Sequence, residues 1–184
     1  MTDDPRQRLL DAINAGAAAA HAGDLDAALA GYEDAIHQLS DGGSLRAPRI
    51  VVDLRLRCAN VLERKGDRDA ALQACSEALR TACEEADDEP TAQGVVRTTM
   101  EMIRGWQDWA RLEATGRGIV ALGYQRNSKL MVMEAGWHMP YAYRGLGRVD
   151  EARDYADTIL GRMRELGAEE AIAEWTAFLD SLSS

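Results

Sequence analysis

The segment Gly23-Asp-Leu-Asp-Ala-Ala-Leu returns as Gly66-Asp-Arg-Asp-Ala-Ala-Leu and, more loosely, as Gly147-Arg-Val-Asp-Glu-Ala-Arg. A chain that repeats a turn in this way is constrained to build one small unit several times and to bury its apolar faces by stacking the copies. Aligned on their glycines, the copies carry apolar or small residues at matching offsets. These are Leu25, Ala28, Leu29, Tyr32, Ala35, Ile36 and Leu39 in the first copy, and Ala71, Leu72, Cys75, Ala78, Leu79 and Ala82 in the second. In the third they are Val149, Ala152, Ala156, Ile159, Leu160 and Met163. The offsets follow the helical period, so each copy predicts an amphipathic helix with one buried stripe. Arg68 interrupts the second stripe at its first position.

Each glycine stands where a preceding helix has to end, because glycine takes the left-handed cap conformation without a side-chain clash. Asp24 and Asp67 follow at once and can cap the next helix, while Asp26 and Asp69 place negative charge in its first turn. Arg148 takes the cap position in the third copy. Helical spacing also precedes each glycine. It covers Leu9 to Ala22, then Ile50, Val51, Leu54, Cys58, Val61 and Leu62, then Leu130, Met131, Met133, Trp137, Tyr141 and Leu146. The predicted unit is helix, tight turn, helix.

Gly23 and Gly66 lie 43 residues apart, and Gly66 and Gly147 lie 81 apart, about twice that distance. A diverged copy is therefore expected between them. Its first helix is predicted near Thr91 to Ala114, its turn at Thr115-Gly-Arg-Gly118, and its second helix near Gly118 to Arg126. The units span about 5–40, 47–86, 91–127 and 128–166. A linker covers Ser40 to Pro48, and the acidic run Glu84 to Pro90 ends one helix and opens a loop. Pro140 lies inside an otherwise helical stretch, which predicts a kink or break between Gly136 and Pro140. A last helix, 168–182, sets Ala171, Ile172, Trp175, Phe178, Leu179 and Leu182 on one face, away from Glu169, Glu170, Glu174 and Asp180. That pattern suits a terminal cap, apolar inside and polar outside, or a dimer contact.

A small residue in the first helix, then Gly-Asp, then alanine, an aromatic and alanine in the second helix, resembles the tetratricopeptide repeat. Gly16, Gly23, Ala28, Tyr32 and Ala35 carry the likeness in the first copy, and Ala59, Gly66, Ala71 and Ala78 in the second, with Cys75 in place of the aromatic. Gly147 and Ala152 carry it in the last, where Pro140 occupies the small-residue position. The resemblance implies an all-α, right-handed helical-repeat solenoid of about four helix-turn-helix units with a capping helix. It also implies that the first helices line a concave groove for peptides. By position that groove holds Leu10, Ile13, Ala17 and Ala20 in the first unit, and Asp53, Leu56, Asn60, Glu63 and Arg64 in the second. Arg97, Glu101, Arg104 and Asp108 follow in the middle unit, and Glu134, Trp137, Tyr141 and Arg144 in the last. The lysine and asparagine with which some members grip a chaperone's terminal carboxylate are replaced by Ile13 and Ala17, so that ligand is not expected.

Composition narrows the function classes. The 184 residues carry a net charge of −10, which opposes the cationic contacts that nucleic-acid binding needs. No run approaches the roughly 20 apolar residues of a membrane span, and Met-Thr-Asp-Asp-Pro-Arg lacks the parts of a secretory signal. Cytoplasmic location and no membrane partner are the expectation. Cys58, Cys75 and Cys83 form no zinc-spaced set, and they read as buried small hydrophobes. No cofactor or metal is expected, and no nucleophile elbow, phosphate loop or dinucleotide fingerprint occurs.

One polar constellation stands out. Glu134, Trp137, His138, Tyr141 and Arg144 are spaced three or four apart, so they can share a helical face. An acid, an imidazole, a phenol and a guanidinium can do acid–base work, or form a recognition surface, or simply be solvated beside a packed Trp137. The leading expectation is a protein- or peptide-binding adaptor, its acidic balance favouring a basic partner through steering. The alternative is a small-molecule binder or enzyme centred on Glu134, His138, Tyr141 and Arg144, with Glu101 and Arg104 opposite. The first helix is apolar nearly all round, at Leu9, Leu10, Ala12, Ile13, Ala15 and Ala17 to Ala20. Such a helix tends to be buried, which raises homo-oligomerisation through the Leu9, Leu10 and Ile13 region.

Overall fold

The computed structural model describes residues 4–40 and 47–182. The first copy folds as α1 (Pro5–Ala22) and α2 (Leu25–Ser40). The second folds as α3 (Pro48–Arg64) and α4 (Arg68–Thr81), which continues into a π-helical turn, Ala82–Ala86. Next come α5 (Glu89–Gly105) and α6 (Trp109–Gln125), then α7 (Lys129–Gly145) and α8 (Val149–Leu166), and finally α9 (Glu169–Ser181). The fold is all-helical, with no strand among the described residues. No described helix is long and apolar enough to cross a membrane. Most of the expected linker, residues 41–46, lies outside the described residues. The chain divides into two compact units, 1–95 and 96–184, with the division inside α5.

Left-handed residues punctuate the helices. Gly23, Gly66, Gln107 and Gly147 turn the chain inside each hairpin, and Asp87, Asn127 and Gly167 turn it between later elements. From Gly66 to Gly167 these positions recur every 20 or 21 residues. The turns close in the same way: the N–H of Asp24 bonds Ala19 O at 2.9 Å, Asp67 bonds Leu62 O at 3.0 Å, and Arg148 bonds Tyr143 O at 2.9 Å. This is the six-to-one bond of the Schellman cap. The aspartate that follows the turn residue then caps the next helix, Asp24 on Ala27 N–H, Asp67 on Ala70 N–H and Asp108 on Arg111 N–H. Arg148 gives no such cap. Its guanidinium instead pairs with Glu151 and Glu113 and lies 4.6 Å over the Tyr143 ring, tying the start of α8 to α6 and α7.

Two expectations are corrected. The turn placed at Thr115 to Gly118 does not exist, because α6 runs unbroken through Gly116 and Gly118. The turn lies at Gln107, with φ 57°, and Asp108 is the cap. Glycine misled because this copy takes the left-handed conformation at a glutamine, while Gly116 serves packing. A Cβ there would lie 2.6 Å from Met139 Sδ and 3.0 Å from Met100 Cε. Of the kink or break expected between Gly136 and Pro140, the break is absent, since α7 is one helix from Lys129 to Gly145 with Pro140 inside it. Proline costs the helix one hydrogen bond. Buried Met139, Pro140, Ala142 and Tyr143, with α6 packed on one side and α8 on the other, hold the segment in place.

One pattern of buried positions is common to the four hairpins. Five, nine, twelve and sixteen residues after the turn stand Ala28, Tyr32, Ala35 and Leu39; Ala71, Cys75, Ala78 and Ala82; Leu112, Gly116, Ile119 and Gly123; Ala152, Ala156, Ile159 and Met163. All are buried except Ile159, which is half-buried. Volume is traded within a hairpin. In the first, Gly16 makes room for Tyr32, whose ring would sit 2.8 Å from a Cβ on that glycine. In the middle one, Met100 holds the corresponding first-helix position and Gly116 the second-helix position, so the large and small partners are exchanged. Close packing tolerates either order provided the summed volume is kept.

In unit 1–95, α1 packs on α2, α2 on α3, and α3 on α4. The core joins Leu9, Tyr32, Leu39, Leu54 and Val61 to half-buried Ile13 and Ile36. In unit 96–184, α6 packs on α7, α7 on α8, and α8 on α9. There Leu160, Met163, Trp175 and Phe178 form a cluster joined by Trp137 and Tyr141 of α7.

Candidate functional site

The helical period places Glu134, Trp137, Tyr141 and Arg144 in one row along α7, and Arg97, Glu101 and Arg104 in a row along α5. Within unit 96–184 the two rows engage. Arg97 forks onto Glu134, Nε to Oε1 at 2.9 Å and Nη2 to Oε2 at 3.0 Å. The Glu134 carboxylate is largely covered, its side chain 11% exposed. That hydrogen bonding raises the Arg97 pKa. Arg104 lies 4.8 Å over the Tyr141 ring, a cation–π distance. Glu101 is exposed beside them.

A third row closes over the α7 face. Trp175 of α9 meets Trp137 edge-on with ring centroids 5.0 Å apart, and Phe178 meets Tyr141 at 4.9 Å. The Tyr141 hydroxyl donates to Glu174 Oε1 at 3.2 Å. Arg144 lies 5.0 Å over Phe178 and donates to Ser181 Oγ at 3.1 Å. The last hairpin's first-helix row is thus occupied by a helix of the same chain. Trp175 is fully buried and Phe178 nearly so. The Trp175 indole nitrogen is buried with no hydrogen-bond partner. Burial raises the Tyr141 pKa, and Glu174 adds to the effect.

His138 does not lie in the solvated position that its polar neighbours suggest. It is 3% exposed, and its Nδ1 is buried with no hydrogen-bond partner. Burial pushes its pKa down to about 4, and nearby Arg104 and Arg97 add to this against the opposing pull of Glu134. A neutral, buried imidazole of that basicity is poorly matched to proton transfer near pH 7. Among the constellation, the carboxylate is held by Arg97 and the phenol by Glu174, so each of these polar groups already has a structural partner.

Asn60 and Arg64 belong to the other unit, on α3. Asn60 is exposed, and Arg64 reaches Ala20 O at 3.0 Å, capping the end of α1. Leu9 is buried in that unit's core and Ile13 packs against it, while Leu10 is 52% exposed. Only part of the apolar first helix is therefore open to a second copy.

Three features are hidden at the level of sequence. The acidic and aromatic side of α9 forms the lid of the α7 row, a relation between distant segments that no local spacing reports. Arg55 of α3 pairs with Glu77 of α4, and its Nε is buried without a partner. Arg55 also lines two cavities of unit 1–95, each of about 390 Å³, one of them floored by Ile36, Cys58, Leu62 and Ala74. Burial pushes the Cys58 thiol up to about 11, which keeps it protonated. No group of three or more metal-ligating side chains occurs among the described residues. The chain matches no protein-family model and no curated protein.

Proposed function

We propose that the protein is a helical-repeat adaptor of tetratricopeptide type, which holds a peptide or a helix of another protein against the first-helix faces of its hairpins. The supporting observation is that the α7 face already holds a helix, α9, through an aromatic and arginine-lined surface. Alternating aromatics and guanidiniums of this kind are what peptide-binding hot spots are made of. The regular turn spacing and the common buried offsets support the stacked-hairpin architecture of such adaptors within each unit.

Charge at the face differs from charge overall. The net charge of −10 steers basic partners from a distance, but screening limits that reach to about 8 Å at physiological salt. At contact, Arg104 and Arg144 act on the partner, Arg97 being held by Glu134, and they favour an acidic segment.

Selection of peptides from a random display library on the immobilised full chain tests the reading. Selected peptides are expected to lose about tenfold in affinity, or 1.4 kcal/mol, on Arg104→Glu, with Arg162→Ala as the neutral surface control. Binding indifferent to Arg104→Glu would place recognition elsewhere and end the proposal.

A further inference from the structure

We propose that the α7 face is a receptor for a partner's acidic amphipathic helix bearing two aromatics three residues apart, and that α9 is its occupant in cis, displaced when the partner binds. The inference rests on the adaptor reading and names the partner class for the same face.

A terminal cap needs only an apolar inner side, and the α7 face has more than that. Arg104 and Arg144 flank the Tyr141 ring, at 4.8 and 5.8 Å from its centroid, while Trp137 extends the aromatic floor. The face therefore selects for aromatic side chains and for negative charge together. α9 meets both demands: Trp175 and Phe178 enter the floor, and Glu174 accepts from the Tyr141 hydroxyl. Charge complementarity thus gives the chemistry of any competitor.

α9 is also an imperfect occupant. Its first turn has no side-chain cap, since Ala168 stands at that position. Its Trp175 nitrogen gives up water without gaining an acceptor, which is a desolvation cost with no return. A partner helix with a good cap, and with phenylalanine in place of the tryptophan, has neither defect. It can therefore compete with α9 despite the advantage of covalent attachment. Release gives up the packing of Trp175 and Phe178 on Leu160 and Met163 of α8 as well, and the chain pivots at the short connection through Gly167, whose φ of 66° marks a sharp turn.

The test uses the full chain and a fluorescein-labelled synthetic peptide spanning residues 168–182. Trp175→Ala with Phe178→Ala loosens α9, and this variant is expected to bind the peptide at least tenfold more tightly than wild type. Adding Arg104→Glu is expected to abolish the gain. Equal affinity for the wild type and the variant, or no binding by a variant that melts cooperatively, overturns the proposal. Should the variant not fold, hydrogen exchange on the wild type decides: α9 amides are expected to exchange at least tenfold faster than those of α7, and equal protection overturns it. A wild-type dimer that trades α9 between copies, seen by sedimentation and by mixed-label exchange, also overturns it, in favour of a second copy as occupant. If library peptides depend on Arg104 while the 168–182 peptide fails to bind the folded variant, the adaptor reading stands and displacement alone falls.

Discussion

Glycine has two opposite uses here, and they separate cleanly under substitution. Gly31 lies against α1 so closely that a Cβ would sit 2.7 Å from the backbone nitrogen of Gly16. Backbone cannot yield as a side-chain tip does, so overpacking of about 1–3 kcal/mol outweighs the roughly 1 kcal/mol that alanine gains in helix propensity. At Gly118 a Cβ would have nothing within 4 Å, so only the propensity gain remains. Chemical denaturation is expected to show Gly31→Ala destabilised and Gly118→Ala stabilised by about 0.5–1 kcal/mol. A Gly31→Ala protein as stable as wild type would mean that the helices separate more easily than this packing implies.

His138 gives a pH dependence with a definite sign. Its folded pKa of about 4 lies below the ordinary 6.5, chiefly because burial disfavours the charged form. Protons therefore bind the unfolded chain first. The stability contribution is complete above about pH 6.5, falls as the pH drops toward 4, and levels off there. At about 1.4 kcal/mol per pKa unit, the loss from pH 7 to pH 5 is about 2 kcal/mol. Urea titrations at the two values should show wild type losing that much more than His138→Leu. Equal losses in the two proteins would show that the carboxylates, not this imidazole, set the acid sensitivity.

At the scale of elements, the first, second and last hairpins were legible because the turn glycine announces a left-handed cap, and in the first two Gly-Asp also announces the next helix start. The middle hairpin was half legible: spacing required it, but Gln107 conceals the turn and Gly116 imitates one. Pro140 likewise obeys local chemistry that packing overrides. The α7 row was readable from three- and four-residue spacing. Its covering by α9 was not, because periodicity identifies which face of a helix is apolar and not what lies against it. The turn itself can be tested. Gln107→Gly removes a side chain from the left-handed region and is expected to raise stability by up to about 1 kcal/mol. Asp108→Ala removes the bond to Arg111 N–H and is expected to cost about 1 kcal/mol. If Gln107→Gly is destabilising instead, the glutamine side chain contributes contacts that offset its backbone conformation.

Across the whole molecule, the two units report through different signals. Trp106, Trp109, Trp137 and Trp175 all lie in 96–184, so tryptophan fluorescence follows that unit, while helical circular dichroism follows both. Each unit has a fully buried leucine, Leu54 in 1–95 and Leu112 in 96–184. Truncating either to alanine leaves a cavity that costs about 2–5 kcal/mol. On the proposed helical-repeat reading, stability is a sum of local and nearest-neighbour terms, so the two losses should not spread equally. With Leu54→Ala, the dichroism curve is expected to broaden or split toward lower urea while the fluorescence midpoint moves by no more than about 0.5 kcal/mol, the tolerance for independent sites. With Leu112→Ala, the fluorescence midpoint moves by the full amount. A single transition displaced alike in both signals by both variants would make the chain one cooperative unit, and the division between Val95 and Val96 would then have no energetic meaning.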